Sequence, residues 1–83
     1  MYEFFVVAQV DVGLPGGRAT KEFPLESRTV EEVDEFVFQW AMHFAEGFEE
    51  EFRKRASCEE EVLNFYDEVC YNWFLRAEEV DNG

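Results

Sequence analysis

The sequence predicts an α+β domain: a β-hairpin followed by two amphipathic α-helices packed on it, in the order β-β-α-α. Three observations lead there. Residues 2–12 carry apolar side chains at every second position, the period of a strand with one buried face. A glycine- and proline-rich turn at 13–17 then sends the chain back through a second alternating run. Two later stretches each open with a capping box and continue with apolar residues three and four apart. At 83 residues the chain reads as a single compact acidic domain over 1–83.

In the first strand Tyr2, Phe4, Val6, Ala8, Val10 and Val12 form one continuous apolar face. Glu3, Phe5, Val7, Gln9 and Asp11 form a mixed one. Gly13-Leu14-Pro15-Gly16-Gly17 is a turn by composition, since glycine tolerates positive φ and proline removes a donor. The return strand runs from Arg18 to Leu25, with Ala19, Phe23 and Leu25 inward; Pro24 marks its end or an edge. Thr29 and Glu32 form the first capping box. Behind it Val33, Phe36, Val37, Trp40, Ala41, Phe44 and Phe48 make a wide apolar stripe reaching toward Phe52. Glu51 would fall within that stripe, which predicts a break in 47–56, with Arg53-Lys54-Arg55 at a helix C-terminus. Ser57 and Glu60 then form a second capping box. A second helix follows through Val62, Phe65, Tyr66, Val69, Cys70, Trp73, Ala77 and Val80, with a frayed end at 81–83. A hairpin alone is marginal, so both helices are expected on its apolar face.

Charge sets the function classes. Twenty acidic residues face seven basic ones, for a net charge of −13, yet 47% of the chain is apolar and ten residues are Phe. Apolar content of that order separates the chain from disordered acidic sequences. The sign of the charge argues against direct binding to nucleic acid or an anionic membrane. No run is apolar enough to span a bilayer and the first residues lack a basic leader, so the expected location is cytoplasmic. On one helix Cys58 and Cys70 would lie about 18 Å apart, too far for a disulfide. Two free thiols fit a reducing compartment.

The acidic residues group at 31–35, 46–51, 59–61, and 67–68 with 78–81. Residues 26–83 hold seventeen of them against five bases, more than solubility requires. Carboxylates three or four apart on a helix lie about 5–6 Å apart at Cβ, close to the spacing of phosphates along a strand. The bland alternative is a solvated polar face. The candidate partner-binding residues are therefore Glu46, Glu49, Glu50, Glu51, Glu59, Glu60, Glu61, Asp67, Glu68, Glu78 and Glu79. Tyr71 and Leu75, one turn apart on the polar side of the second helix, are candidate anchors. Catalysis, cofactor and metal are not expected. The Glu runs lack the alternating ligands and turn glycine of a calcium loop, and 13–17 lacks the helix N-terminus and Lys of a phosphate loop. His43 has no nucleophile arranged beside it and reads as a boundary residue. Cys70 reads as core packing.

The segments Val30–Phe52 and Glu59–Tyr66, a Phe/Trp-rich helix, an acidic break and an acidic helix opening Glu-Glu-Glu-Val-Leu-Asn-Phe-Tyr, resemble the small acidic inhibitors made by bacteriophages. Anti-CRISPR proteins and other DNA mimics belong to that group. The resemblance covers about half the chain. It implies a non-enzymatic inhibitor whose carboxylates occupy the basic nucleic-acid channel of an enzyme such as a CRISPR effector. Two other readings stay open: an immunity- or antitoxin-type protein that neutralises a basic nuclease toxin, and a homodimeric interaction module joined through the hairpin edge or its Phe5/Val7 face.

Overall fold

The computed structural model describes residues 1–81, so Asn82 and Gly83 of the frayed end expected at 81–83 lie outside the described residues. Six elements follow in the order β1 (Tyr2–Asp11), β2 (Arg18–Pro24), α1 (Val30–Glu46), α2 (Glu49–Arg55), α3 (Glu59–Asp67) and β3 (Cys70–Glu79). The α+β class holds, and the order is β-β-α-α-α-β. β1 is the centre of a three-stranded antiparallel sheet ordered β2-β1-β3.

The hairpin forms as its alternation dictates. Val10 pairs with Ala19 and Val6 with Phe23, which places the apolar rows of both strands on one face. At the tip Gly13 and Gly16 take φ of 79° and 74°. The Gly13 amide donates to Asp11 Oδ1 at 2.8 Å, and the Val12 amide to the Gly17 carbonyl at 2.8 Å. A side chain at Gly17 would drive its Cβ to 2.3 Å from Val12 Cγ2, so this position has no room for one.

α1 starts at the expected box: the Glu32 amide donates to Thr29 Oγ1 and the Thr29 amide to Glu32 Oε1, each at 3.2 Å. Its buried residues are Val33, Val37, Ala41 and Ala45. Val33 and Val37 share an apolar cluster with Val6 and Ala8, and Ala41 and Ala45 share one with Val10 and Val12. α1 therefore runs in the same direction as β1. Four helical residues rise about 6 Å and two strand residues about 6.6 Å, so the two rows stay in step. Each valine fully buried between them contributes about 1.5–3 kcal/mol.

The expected break appears at Gly47–Phe48. There the Gly47 and Phe48 amides bond to the Phe44 and Ala45 carbonyls, three residues back, and the helix turns into α2. α2 ends with Arg53, Lys54 and Arg55 in its last turn, matching the helix dipole. α2 and α3 close one end of the molecule. Phe52, fully buried, stacks on Phe65 at 5.2 Å and meets Tyr66 edge-on at 5.1 Å.

Three expectations are corrected. The second capping box does not form: Cys58 is the N-cap of α3 and makes no side-chain cap bond, while Glu61, not Glu60, accepts from the Ser57 amide and hydroxyl at 2.9 and 2.7 Å. The second helix stops at Asp67, with acids and no base at its negative end. Residues Cys70–Glu79, expected as helix, are instead β3, paired with β1 from Asp11↔Cys70 to Tyr2↔Glu79. This run satisfies both periods, and the open edge of β1 decides between them, since a two-stranded hairpin lacks the stability that a third strand adds. Cys70 is consequently exposed rather than core, and both thiols are free.

Among the described residues, only the Val6, Ala8 and Val10 face of the sheet carries a helix. The molecule is elongated, 60 × 24 × 14 Å along its principal axes, with a radius of gyration of 16.1 Å against about 12 Å for a compact chain of this length.

Candidate functional site

The helical end gathers nine of the candidate residues. Glu46 closes α1; Glu49, Glu50 and Glu51 form the first turn of α2; Glu59, Glu60 and Glu61 form the first turn of α3; Asp67 and Glu68 close it. Residues 46–68 hold nine carboxylates and three basic side chains. The same sequence logic builds the structure and exposes the charge. Acids favour helix N-termini, and the Phe52, Val62 and Phe65 packing turns the polar faces outward.

Part of this charge is spent within the molecule. Arg53 donates to both oxygens of Glu59 at 2.7 and 3.1 Å and lies 3.8 Å from Glu49, tying α2 to α3 across their elbow. The hydrogen bond from Arg53, and then its charge, hold the Glu59 carboxyl below its usual range. Lys54 pairs with Glu51 at 3.2 Å. The Ser57 amide, then its hydroxyl, lower the Glu61 carboxyl. Tyr66 donates to Glu49 at 3.2 Å, and its phenol is raised, first by burial and then by that bond. Glu46 faces His43, Nδ1 to Oε2, at 3.8 Å. Among the described residues, Glu50, Glu60, Asp67 and Glu68 form no ion pair. These four and Glu46 are the carboxylates most available to a partner.

The remaining candidates lie elsewhere. Glu78 and Glu79 sit opposite Glu3 and Tyr2 at the far end of β3, nine residues and about 30 Å from Cys70. A helix would have kept them with the others; the strand takes them away. Glu78 is also bound by Arg76, which pairs with Glu22 as well and lies over the Phe5 ring at 4.9 Å. Tyr71 and Leu75 flank Trp73 on the face of β3 under α1, opposite Val10 and Val6. They are not neighbours on a helix. Tyr71 packs edge-on against Phe38 at 5.8 Å.

The acidic group at 31–35 forms a second surface, and β3 turns it into a groove. Glu31, Asp34, Glu35, Phe38 and Tyr71 line an open groove between α1 and β3, and Asp34 accepts from the Trp73 indole nitrogen at 2.6 Å. The polar face of α1 already carried Glu31 and Glu35 in the sequence, but without β3 no groove could be drawn beside them.

Among the described residues no three His, Cys, Asp or Glu side chains converge to hold a metal ion, and no helix is long and apolar enough to cross a membrane. No protein-family model, curated protein or solved structure matches the chain.

Proposed function

We propose that the protein is a non-enzymatic inhibitor that presents its acidic helical end to a basic nucleic-acid-binding enzyme and occupies the channel meant for the nucleic acid. A CRISPR effector or a nuclease is the kind of target this fits. The observation that carries the reading is the excess of carboxylates in residues 46–68, with Glu50, Glu60, Asp67 and Glu68 unpaired among the described residues on a scaffold fixed by the Phe52 stack.

Magnitudes narrow what is imitated. Thirteen net charges over 60 Å give one per about 4.6 Å, against about 1.7 Å in duplex DNA and 3.4 Å along one strand. The body matches a single strand, or one phosphate rail of a duplex, better than a whole duplex. Charge of this kind speeds encounter and makes binding salt-dependent.

The test is a pull-down from bacterial lysate with three immobilised proteins: the parent, Glu50→Lys/Glu60→Lys, and Glu3→Lys/Glu26→Lys. The last makes the same change in net charge at the other end of the molecule. The expected result is a nucleic-acid-binding enzyme retained at low salt by the parent and by Glu3→Lys/Glu26→Lys, and lost with the helical-end variant. Equal retention by all three would remove the helical end from the account.

A further inference from the structure

The outer edge of β3 is the least protected part of the sheet. β3 is ten residues long and keeps one register with β1 throughout, without a bulge. It contains no proline or glycine, and every residue but Trp73 and Arg76 is exposed. Alternate residues of an edge strand direct their N–H and C=O groups outward. The opposite edge, β2, is shorter, carries Arg18 and Lys21 and ends in Pro24, devices that blunt an edge.

The side chains along β3 state what would fit there. On the α1 side Tyr71 and Leu75 are 39% and 47% exposed, and the groove that Tyr71 lines carries Glu31, Asp34 and Glu35. On the other side Phe74, 50% exposed, lies across from Val7. The edge therefore offers backbone bonds, apolar contacts on both faces and three carboxylates on one.

A second copy of the chain fits badly. Antiparallel pairing of β3 with itself needs a two-fold axis normal to the sheet, which leaves both α1 helices on the same face. Asp34 is level with Trp73, near the middle of β3. The Glu31, Asp34 and Glu35 groups of the two copies would meet at the axis, within an assembly twice as negative as the −13 of one chain.

We propose that the outer edge of β3 receives an extended basic segment of the target protein as a fourth strand, with Arg or Lys at alternate positions turned toward Glu31, Asp34 and Glu35 and apolar residues turned toward Phe74. This rests on the reading that the target is a basic protein and adds a contact distinct from the helical end. Backbone pairing supplies affinity and the alternating side chains supply selectivity. The rings of Phe38 and Tyr71 add faces on which a guanidinium stacks.

The test uses the full chain, isotopically labelled, and a capped octapeptide alternating Arg and Val. Companion peptides carry Glu in place of Arg, or N-methyl groups on every second residue in either phase. The expected result is amide shifts and slowed exchange within Cys70–Glu79, no binding of the Glu peptide, and a loss of about tenfold or more for one N-methylated phase. Equal binding of all Arg peptides, no binding, or β3 amides already protected in a dimer of the free protein would each overturn the proposal. Shifts confined to residues 46–68 would also overturn it, while leaving the acidic helical end standing as the charge-recognition surface.

Discussion

Phe52 does more for the acidic end than any carboxylate in it. Its ring is fully buried and meets both Phe65 and Tyr66, so it fixes α2 against α3 and sets the spacing of the charges above them. Phe52→Ala is expected to cost about 3–5 kcal/mol, read as a shift in the urea unfolding midpoint. Glu61 acts differently. Its carboxyl is lowered by the Ser57 amide and hydroxyl, so the unfolded chain binds its proton more readily than the folded one. Its contribution is fully present above the ordinary carboxylate range and lost as pH falls through the lowered value. Glu61→Gln is therefore expected to be less stable than the parent at pH 6, with the gap closing as pH falls below about 4. A gap that widens toward low pH would contradict that assignment. Glu60, which the sequence assigns to the cap, has no such bond, and Glu60→Gln is expected to leave stability unchanged.

At the scale of the element, local signals were legible where one signal dominated. The apolar row of β1, the Thr29/Glu32 box, the break at Gly47 and the basic last turn of α2 can all be read from the sequence alone. β3 could not be read that way. Val69, Cys70, Trp73 and Ala77 suit a helix, while Tyr71, Trp73, Leu75 and Ala77 suit a strand, and the deciding partner, β1, lies some sixty residues earlier. The same ambiguity split the candidate site. The acids of 46–68 stayed together because helices hold them, whereas Glu78 and Glu79 followed the strand, and the Glu31/Asp34/Glu35 groove exists only because β3 lies beside α1. The strand assignment predicts close contacts between Trp73 and Ala8 and between Phe74 and Val7 in nuclear Overhauser spectra. It also predicts that the amides of Val6, Ala8 and Val10 exchange most slowly, since β1 is bonded on both sides. A ladder of sequential helical contacts across 70–79 would contradict it.

At the scale of the whole molecule, charge acts on folding and on binding with opposite signs. A net charge of −13 opposes its own packing, and salt screens that repulsion over about a Debye length. Raising sodium chloride from about 20 mM to about 500 mM is expected to raise Tm by several degrees, since about 1 kcal/mol moves a domain of this size by roughly 4–8 °C. The same change should weaken capture of the basic target. A Tm that falls with salt would mean that ion pairs such as Arg53–Glu59 outweigh the net repulsion. The elongated shape separates the acidic helical end from the opposite end of the sheet, where Glu3 and Glu79 lie, so one end can be altered without disturbing the other.

The central claim, that the acidic end takes the place of a nucleic acid, is tested most directly by competition on the captured enzyme. With labelled nucleic acid bound to that enzyme, increasing amounts of the protein should displace the label in proportion to the protein bound, and Glu50→Lys/Glu60→Lys should not. A stable ternary complex of enzyme, nucleic acid and protein would contradict the claim.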